Sequence, residues 1–255
     1  MPKKSAQPSP PAPRAILGAL PAAQAPQLCQ LVTSPPETGD WLSEIKLDGY
    51  RFIVSLDHGR VRLLTRKGLD WADRLPRVAK AFSRLPVTTA MLDGELVALR
   101  AHGVSSFSDL QVALSAGADG TLYFYVFDLL HLDGWDLRPC ALLDRKGVLA
   151  GLAGWQGMLR YSGHVVGSAD RLYRHACTLG LEGIICKRAN APYRAGLGSS
   201  WVKVKFDQRE DLIVVGWTLP ARSRVGLGGL HLAYYDPEGQ LQYAGAVGTP
   251  LRYGR

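Results

Sequence analysis

The hydrophobic pattern of this 255-residue chain changes at Phe206, and this change strongly constrains how the chain can fold. Before Phe206, segments whose apolar residues alternate with a period of two, as in strands, are interspersed with segments of helical period. After Phe206, strand patterns follow one another with no helical segment between them. The sequence therefore predicts an α+β domain followed by a separate all-β domain.

The predicted elements have clear periodicity. In the α+β part the predicted strands are 43–47, 51–57, 61–66, 88–99, 122–130, 183–187 and 201–206. The predicted helices are 73–85, 107–115, 142–152 and 168–179. Ser168 is predicted to cap the last helix, and Gly180 to follow its C-terminus. The all-β part has strand patterns at 212–217, 230–235 and 241–247.

The beginning of the chain is rich in proline. Residues 1–36 contain nine of the sixteen prolines, a composition typical of an extended linker. We therefore predict a Pro/Ala-rich disordered arm over 1–27 and a regular core from about Trp41. The α+β domain is assigned to 28–207 and the all-β domain to 208–255.

Charge and cysteine content narrow the possible partners. The net charge of +8 suits a polyanionic partner, because Lys and Arg displace counterions from phosphate backbones, although a basic protein without such a partner would have the same composition. The four cysteines form neither a zinc-binding spacing nor a disulfide framework, which indicates reduced thiols. No apolar run suggests a signal peptide or a membrane span, so we expect a cytoplasmic protein without membrane association.

The segment 44–51, Glu-Ile-Lys-Leu-Asp-Gly-Tyr-Arg, carries the main chemical signal. Lys46 stands at a predicted strand end, where the turn at Asp48-Gly49 projects its amine towards a cleft. A lysine attacks phosphorus only after losing its proton, and nearby cations or burial favour that loss. For this octapeptide alone, a solvated surface turn is a serious alternative, because Asp-Gly is a common turn sequence.

Three further segments carry charged or aromatic residues. Arg66, at a strand end, can bind a phosphate or a ribose hydroxyl. Asp93 and Glu95 flank a glycine inside an apolar strand, where charges cost stability unless they are paired or bound to a metal. The strand 123–130 offers aromatic side chains that could stack on a base, although such rows more often belong to a core.

Two more charged segments complete the set. Glu182 stands at a strand entrance and is a candidate ligand for an oxygen-preferring cation such as Mg²⁺. Lys203 and Lys205 alternate on one strand face, where they repel each other unless an anion lies between them. An exposed basic strand face is the alternative for this pair.

These six segments, in this order, resemble the nucleotide-pocket motifs of the covalent nucleotidyltransferases: ATP-dependent DNA ligases, RNA ligases and mRNA capping enzymes. The residue sequences of four segments are most similar to the ligase domain of bacterial non-homologous end-joining ligases, which work with Ku. These segments are 44–51, 127–134, 179–188 and 201–205. The stretch from 214–218 through 243–249 resembles the opening of that family's OB domain. The resemblance extends from about residue 28 to residue 249.

For the fold, the resemblance implies an ATP-grasp-like adenylation domain of antiparallel sheets flanked by helices, followed by the N-terminal part of an OB-fold domain. A complete OB-fold has five strands, and only three fit before Arg255, so we expect an incomplete OB domain. The family's last motif, a basic element that orients pyrophosphate, has no match here. We therefore expect slow self-adenylation, but sealing of a nick that already carries AMP.

For the site, the resemblance implies a DNA ligase (ATP) in which Lys46 forms lysyl-AMP and breaks between a 5′-phosphate and a 3′-hydroxyl are then sealed. It implies that Glu44 contacts the adenine edge and that Phe127 stacks on the base. The ribose and phosphate side is expected to be held by Arg51, Arg66 and Glu95, the α-phosphate by Lys203 and Lys205, and Mg²⁺ or Mn²⁺ by Asp48 and Glu182.

The resemblance also implies a biological setting. We expect a monomer that acts on nicked or broken double-stranded DNA in repair, recombination and end joining, in the bacterial cytoplasm and at the nucleoid, with Ku as a candidate partner. Two alternatives stay open. One is an RNA ligase or a capping-type nucleotidyltransferase with the same fold, and the other is an inactive DNA-binding remnant.

Overall fold

The computed structural model divides the chain into two units, Met1–Phe206 and Asp207–Arg255. The boundary assigned from the sequence lies one residue later. The residues that the structure describes are 9–167, 169–206, 212–219, 228–236 and 238–248. The predicted helix cap Ser168 lies outside them.

Twelve strands and four α-helices make up the described part of the first unit. The strands are β1 (Ile16–Leu17), β2 (Gln27–Leu31), β3 (Trp41–Ile45), β4 (Tyr50–Asp57), β5 (Arg60–Thr65), β6 (Thr89–Val97), β7 (Tyr123–Leu132), β8 (Trp135–Asp136), β9 (Leu159–Tyr161), β10 (Val165–Val166), β11 (Gly183–Arg188) and β12 (Gly196–Lys205). The helices are α1 (Pro76–Phe82), α2 (Phe107–Ser115), α3 (Leu142–Gly151) and α4 (Ala169–Thr178).

The strands form two sheets. The first sheet has the order β1-β8-β7-β6-β4-β5, with β9 pairing in parallel to β7. The second sheet has the order β10-β3-β11-β12-β2, in which only the pair β12–β2 is parallel among the described strands. The predicted α+β fold, with mainly antiparallel sheets flanked by helices, is confirmed.

Four apolar clusters hold the described elements together, of which three are large. On one face of the first sheet, Phe82 of α1 packs in the cluster that contains Phe52 and Phe124. On its other face, Phe127 of β7 packs in a cluster with Trp201 of β12, which joins the two sheets. A separate cluster attaches α4 to the second sheet. Each cluster removes apolar surface from water, which is the main favourable contribution to folding.

The segment between β3 and β4 passes from the second sheet to the first, so Lys46 lies where the two sheets approach each other. Gly49 permits this passage, because a Cβ at this position would lie 2.1 Å from the backbone oxygen of Leu96. Gly94 is equally confined, with its virtual Cβ 2.3 Å from Phe124. The close backbone approach inferred for the glycine between Asp93 and Glu95 is therefore present.

The structure differs from the prediction of a disordered arm over 1–27, as far as residues 9–27 are described. Ile16 and Leu17 pair with β8, Ala12 is buried in the first-sheet cluster, and Gln27 is buried at the start of β2. The prolines flank these short edge strands, where the missing N–H costs no ladder hydrogen bond. A proline-rich composition favours an extended chain, but it does not show whether that chain is paired.

Most predicted elements of the first unit lie within a few residues of their observed positions. The segment 73–85 is shorter than predicted: a 3₁₀ turn at Ala72–Arg74 precedes α1, which begins at Pro76 because proline suits a first helical position. Gly180 follows α4 with a φ of 66°, as predicted for a helix C-terminus.

The described part of the second unit is an antiparallel sheet. Its strands are β13 (Ile213–Thr218), β14 (Gly229–Tyr235) and β15 (Leu241–Gly248), with β14 in the centre. They lie at the three strand positions that the sequence predicted. None of the helices among the described residues combines the length and apolar character needed to cross a bilayer.

Candidate functional site

A cavity of about 500 Å³ opens between the two sheets of the first unit. It is lined by seven of the residues that the sequence singled out: Glu44, Lys46, Arg51, Arg66, Glu95, Phe127 and Lys203. The segment around Glu182 contributes Ile185 and Lys187, so all six sequence segments meet around one space. The other three predicted site residues, Asp48, Glu182 and Lys205, are not part of its lining.

Lys46 stands at the entrance to this cavity. Its backbone N–H donates to the oxygen of Gly183 at 3.0 Å, which extends the pairing of β3 with β11 and fixes the start of the side chain. Its ammonium donates to one oxygen of Glu182, and the other oxygen accepts from Lys205 at 2.8 Å. A lysine attacks phosphorus only as the uncharged amine, so nucleophilic attack requires Lys46 to leave Glu182 and lose a proton.

Glu182 is occupied by cations on both sides. Burial by itself raises the pKa of this carboxyl, but hydrogen bonds from Lys205 and Lys46 outweigh burial and hold the pKa below its usual value. Each oxygen accepts from one lysine, which leaves lone pairs on both oxygens for a further partner. These contacts position Lys46 and Lys205, and the role of Glu182 as a metal ligand stays a prediction.

Asp48 lies outside the cavity lining, and its role as a metal ligand stays a prediction. Its carboxylate accepts a hydrogen bond from the backbone N–H of Phe107 at 3.2 Å, and its own N–H donates to the hydroxyl of Ser105 at 2.9 Å. Asp48 therefore ties the loop after Lys46 to the start of α2 and does not line the cavity. The reason is that the turn at Asp48-Gly49 carries the chain away into β4.

Glu95 is the acidic group that fits a cation. Within the described residues, no cationic side chain lies within 4.0 Å of its carboxylate, and it lines the cavity. Burial raises the pKa of Glu95 to about 7, although the charges of Arg51 and Lys46 act in the opposite direction. A carboxylate without a cation in direct contact matches the way proteins hold Mg²⁺, with one or two carboxylates and the oxygens of the substrate.

The raised pKa of Glu95 predicts a pH-dependent stability. Between its usual value of 4.5 and about 7, the folded chain keeps a proton that the unfolded chain releases, so the free energy of unfolding falls as pH rises through this window. Glu95→Gln stays neutral, and we expect it to be more stable than the wild type at pH 8, by at most about 3 kcal/mol. Urea unfolding in the presence of a chelator measures this, and an equal difference at pH 4.5 and pH 8 would contradict it.

Arg51 is held by Asp93. Its Nε and Nη2 donate to the two oxygens of Asp93 at 2.7 and 2.6 Å, and Asp93 also accepts from the hydroxyl of Tyr193 at 2.5 Å. Burial opposes the charge of Arg51, yet Asp93 outweighs it and raises the pKa of the guanidinium further. The sequence predicted that Asp93 needs a partner inside its strand, and Arg51 is that partner. The guanidinium of Arg51 therefore reaches the cavity in a fixed position.

Glu44 lies on the floor of the cavity between two lysines. It is 3% exposed, and its oxygens accept from Lys146 at 2.7 Å and from Lys187 at 2.8 Å. Burial raises the pKa of Glu44, but the two ammonium groups outweigh burial, so the pKa is lowered and the carboxylate stays ionised. A carboxylate has about four lone-pair positions, so it can accept further hydrogen bonds from the cavity side.

Lys146 and Lys187 are residues of the site that the sequence did not reveal. Lys187 belongs to the segment around Glu182, but only Glu182 carried a predicted role there. Lys146 occupies the buried face of α3 together with Arg145, Leu142 and Leu149. Basic residues at apolar helix positions were the signal that could have found it, because buried charges need nearby partners.

Phe127 forms a wall of the cavity but is only 8% exposed. The Lys187 ammonium lies 4.1 Å from its ring centroid and the Arg51 guanidinium 4.8 Å, while Trp201 meets it edge-on at 6.1 Å. Lys187 also lies 4.3 Å from the Trp201 ring. The rings of Phe127 and Trp201 thus contact the cations of Lys187 and Arg51 at the side of the cavity. Stacking of Phe127 on a base stays a prediction.

Arg66 and Lys203 contribute positive charge at the cavity. Arg66 is exposed and Lys203 half-buried, and neither has an acidic side chain within 4.0 Å in the part of the chain that the structure describes. Lys205 lies on the same strand face as Lys203 and is bound to Glu182. Cations without acidic partners beside a lysine amine suit a site that binds phosphate groups.

Comparison with known proteins shows the family of this chain. Residues 26–205 match the family model described as ATP dependent DNA ligase domain. The multifunctional non-homologous end joining protein LigD of Pseudomonas aeruginosa is 42% identical over 229 residues, which cover 88% of this chain and 27% of that protein. A probable DNA ligase of Rhodococcus opacus is 35% identical over 225 residues, 85% of this chain and 42% of that protein.

Solved structures lead to the same family. A mycobacterial DNA ligase D complexed with ATP and MES superposes with a TM-score of 0.63 at 32% identity and covers 89% of this chain and 73% of that one. The ligase domain of LigD from Mycobacterium tuberculosis gives a TM-score of 0.60 at 32% identity, with 90% and 74% covered. The present chain spans 27% of the length of the LigD protein of Pseudomonas aeruginosa. Since the family model matches well over half of the chain, this protein belongs to the ATP-dependent DNA ligase domain family.

Proposed function

We propose that this chain joins breaks in DNA at the expense of ATP, with Lys46 as the nucleophile that carries AMP. The observation that supports this most directly is the position of Lys46, at a cavity that also contains Glu95, Arg66 and Lys203. An amine, an uncompensated carboxylate and cations without acidic partners are the groups needed to hold a nucleotide phosphate and attack it.

In the first step, the Lys46 ammonium leaves Glu182 and gives one proton to solvent, and the uncharged amine attacks the α-phosphorus of ATP. A nitrogen–phosphorus bond forms, the nitrogen gives a second proton to solvent, the bond between the α-phosphorus and the bridging oxygen breaks, and pyrophosphate leaves. Glu182 has a lowered pKa and is a weak base, so it orients Lys46 and does not take up its proton. Lys203 lies where it can bind the α-phosphate and stabilise its developing charge.

The nucleotide would be held along the cavity. Glu44 on the floor accepts from the amino group of adenine, and Phe127 forms the wall beside the base. Arg51 and Arg66 face the ribose and phosphates. A Mg²⁺ or Mn²⁺ ion, held by Glu95 and phosphate oxygens, would supply neutralisation of phosphate charge.

In the later steps AMP passes from Lys46 to the 5′-phosphate at a DNA break. The nitrogen–phosphorus bond breaks and a phosphoanhydride forms. The 3′-hydroxyl then attacks the 5′-phosphorus, which makes the phosphodiester and releases AMP. These steps depend on alignment and charge neutralisation, for which Lys203 and Lys205 provide cations on one strand face.

For the biological setting we propose nicked or broken double-stranded DNA as the substrate, acted on by a monomer at the bacterial nucleoid during end joining, with Ku as partner. The support is the similarity to LigD proteins, which are named for non-homologous end joining. An RNA ligase or capping-type activity is the second candidate for the same cavity, since Lys46 and its neighbours would serve any of these reactions.

A sealing assay distinguishes these candidates. We expect ATP and Mg²⁺ to support sealing of a nicked DNA duplex at a rate at least about tenfold, or 1.4 kcal/mol in activation free energy, above that of a nicked RNA duplex. A labelled 5′-phosphate strand followed on a denaturing gel gives both rates. A substrate adenylated in advance provides the control for the final step. Faster sealing of RNA would support the second candidate instead.

A further inference from the structure

Lys146 connects three walls of the cavity without lining it. Its side chain is completely buried on α3. Its ammonium donates to Glu44 at 2.7 Å, to the backbone oxygen of Ser162 at 3.0 Å and to the backbone oxygen of Phe127 at 3.3 Å. All three acceptors belong to residues that line the cavity.

The hydrogen-bonding capacity of Lys146 is used up by these contacts. An ammonium has three donors, and Lys146 has three acceptors, so no donor is left for a ligand. Lys187 differs, because it lines the cavity and donates to Glu44 through one hydrogen while its ammonium lies over Phe127 and Trp201. Lys146 therefore acts through other residues and does not touch a bound molecule.

The position of Glu44 depends on this arrangement. Its carboxylate would turn or take up a proton if one of its two cations were lost, because burial favours the neutral form. With both cations in place it stays ionised, and the lone pairs not used by lysine remain available to a donor in the cavity. The exocyclic amino group of a purine is such a donor.

We propose that Lys146 is a positioning residue for base recognition, which holds the Glu44 carboxylate, the Phe127 strand and the Ser162 loop in the geometry that accepts a 6-aminopurine. This inference rests on the proposed function, since it assumes that the cavity binds ATP. A purely structural lysine would affect stability alone, whereas a positioning lysine also controls discrimination between bases with and without the amino group.

Binding of two nucleotides tests the proposal. ATP is compared with purine riboside triphosphate, which lacks only the 6-amino group, by equilibrium binding to the whole chain. We expect the wild type to prefer ATP by about tenfold to hundredfold, the value of one hydrogen bond to a charged group. In Lys146→Met this preference should fall to about twofold or less, mainly through weaker binding of ATP.

Arg145→Met is the matched control, because Arg145 is the neighbouring buried cation of α3 and its partner Asp128 does not line the cavity. We expect it to lower the melting temperature but keep the wild-type preference. Lys146→Arg keeps the charge and should retain an intermediate preference, which maintains the test if Lys146→Met folds poorly. In a Glu44→Gln background, Lys146→Met should cause no further loss of preference.

The outcomes separate the two hypotheses. A wild-type preference retained by folded Lys146→Met, or by Lys146→Arg where Lys146→Met does not fold, overturns the role of Lys146 while the proposed function stands. A wild type that binds ATP no more tightly than the analogue also overturns the role of Lys146 and leaves the proposed function standing. A wild type that binds neither nucleotide overturns the proposed function itself.

Discussion

Lys46→Ala should abolish covalent labelling of the chain by α-labelled ATP, with a loss of at least about 10⁴-fold, near 5.5 kcal/mol in activation free energy. The reason is that no other amine in the described lining is placed to replace it: Lys187 is held by Glu44, and Lys203 lies on β12, away from the loop that carries Lys46. Denaturing gels with Mg²⁺ or Mn²⁺ show whether label stays attached to the protein.

A second substrate shows whether the loss is confined to the formation of lysyl-AMP. A nick adenylated in advance bypasses the bond to Lys46, so Lys46→Ala should seal it within about tenfold of the wild-type rate. Lys80→Ala, the same change at an exposed lysine of α1 outside the cavity, should leave labelling unaltered. Covalent label that persists in Lys46→Ala would remove the proposed nucleophile.

Asp128→Leu is the substitution expected to destabilise the fold most. Asp128 and Arg145 are both completely buried and joined by two hydrogen bonds of 2.8 Å each. Removing the acid leaves a guanidinium that cannot lose its charge, so we expect the free energy of unfolding to fall by about 3–5 kcal/mol. Arg145→Met should cost less, because the stranded carboxyl can take up a proton.

A double variant tests whether the unpaired charge is the cause. Asp128→Leu combined with Arg145→Met replaces the pair by apolar groups and should recover much of the lost stability in urea unfolding. Arg62→Met, which breaks the exposed pair with Asp70, should cost about 0–1 kcal/mol. If the double variant is as unstable as the sum of the two single changes, the loss does not come from an unpaired buried charge.

Much of the site was predictable because its residues occur in short segments with a fixed order. Lys46, Glu95 and Lys203 needed only local information, since strand alternation and turns determined which way each side chain would point. The glycine between Asp93 and Glu95 carried its own signal, because glycine weakens a strand interior unless another part of the chain approaches its backbone closely. The α+β class and the strands after Phe206 followed from periodicity in the same way.

What sequence could not supply is the identity of distant partners. Lys146 and Glu44 are 102 residues apart and Lys187 and Glu44 are 143 apart, so their meeting depends on the pairing of β3 with β11 and the packing of α3. The contacts of Asp48 with α2 and of Glu182 with Lys205 were not predicted for the same reason. The partners of a carboxylate depend on which groups the fold brings close to it, and periodicity does not contain that information.

The parallel pairing of β2 with β12 has a practical consequence for protein engineering. Pro26, Leu28 and Cys29 form part of the cavity wall, and the Gln27 side chain donates to the hydroxyl of Ser200 at 2.7 Å. A shortened version that starts at the apparent core near Trp41 would leave this wall open and expose the edge of β12 to solvent and to other chains. Since Ala12 and β1 are also packed against the first sheet, tags and truncation sites belong before Ala12, even though the sequence there looks dispensable.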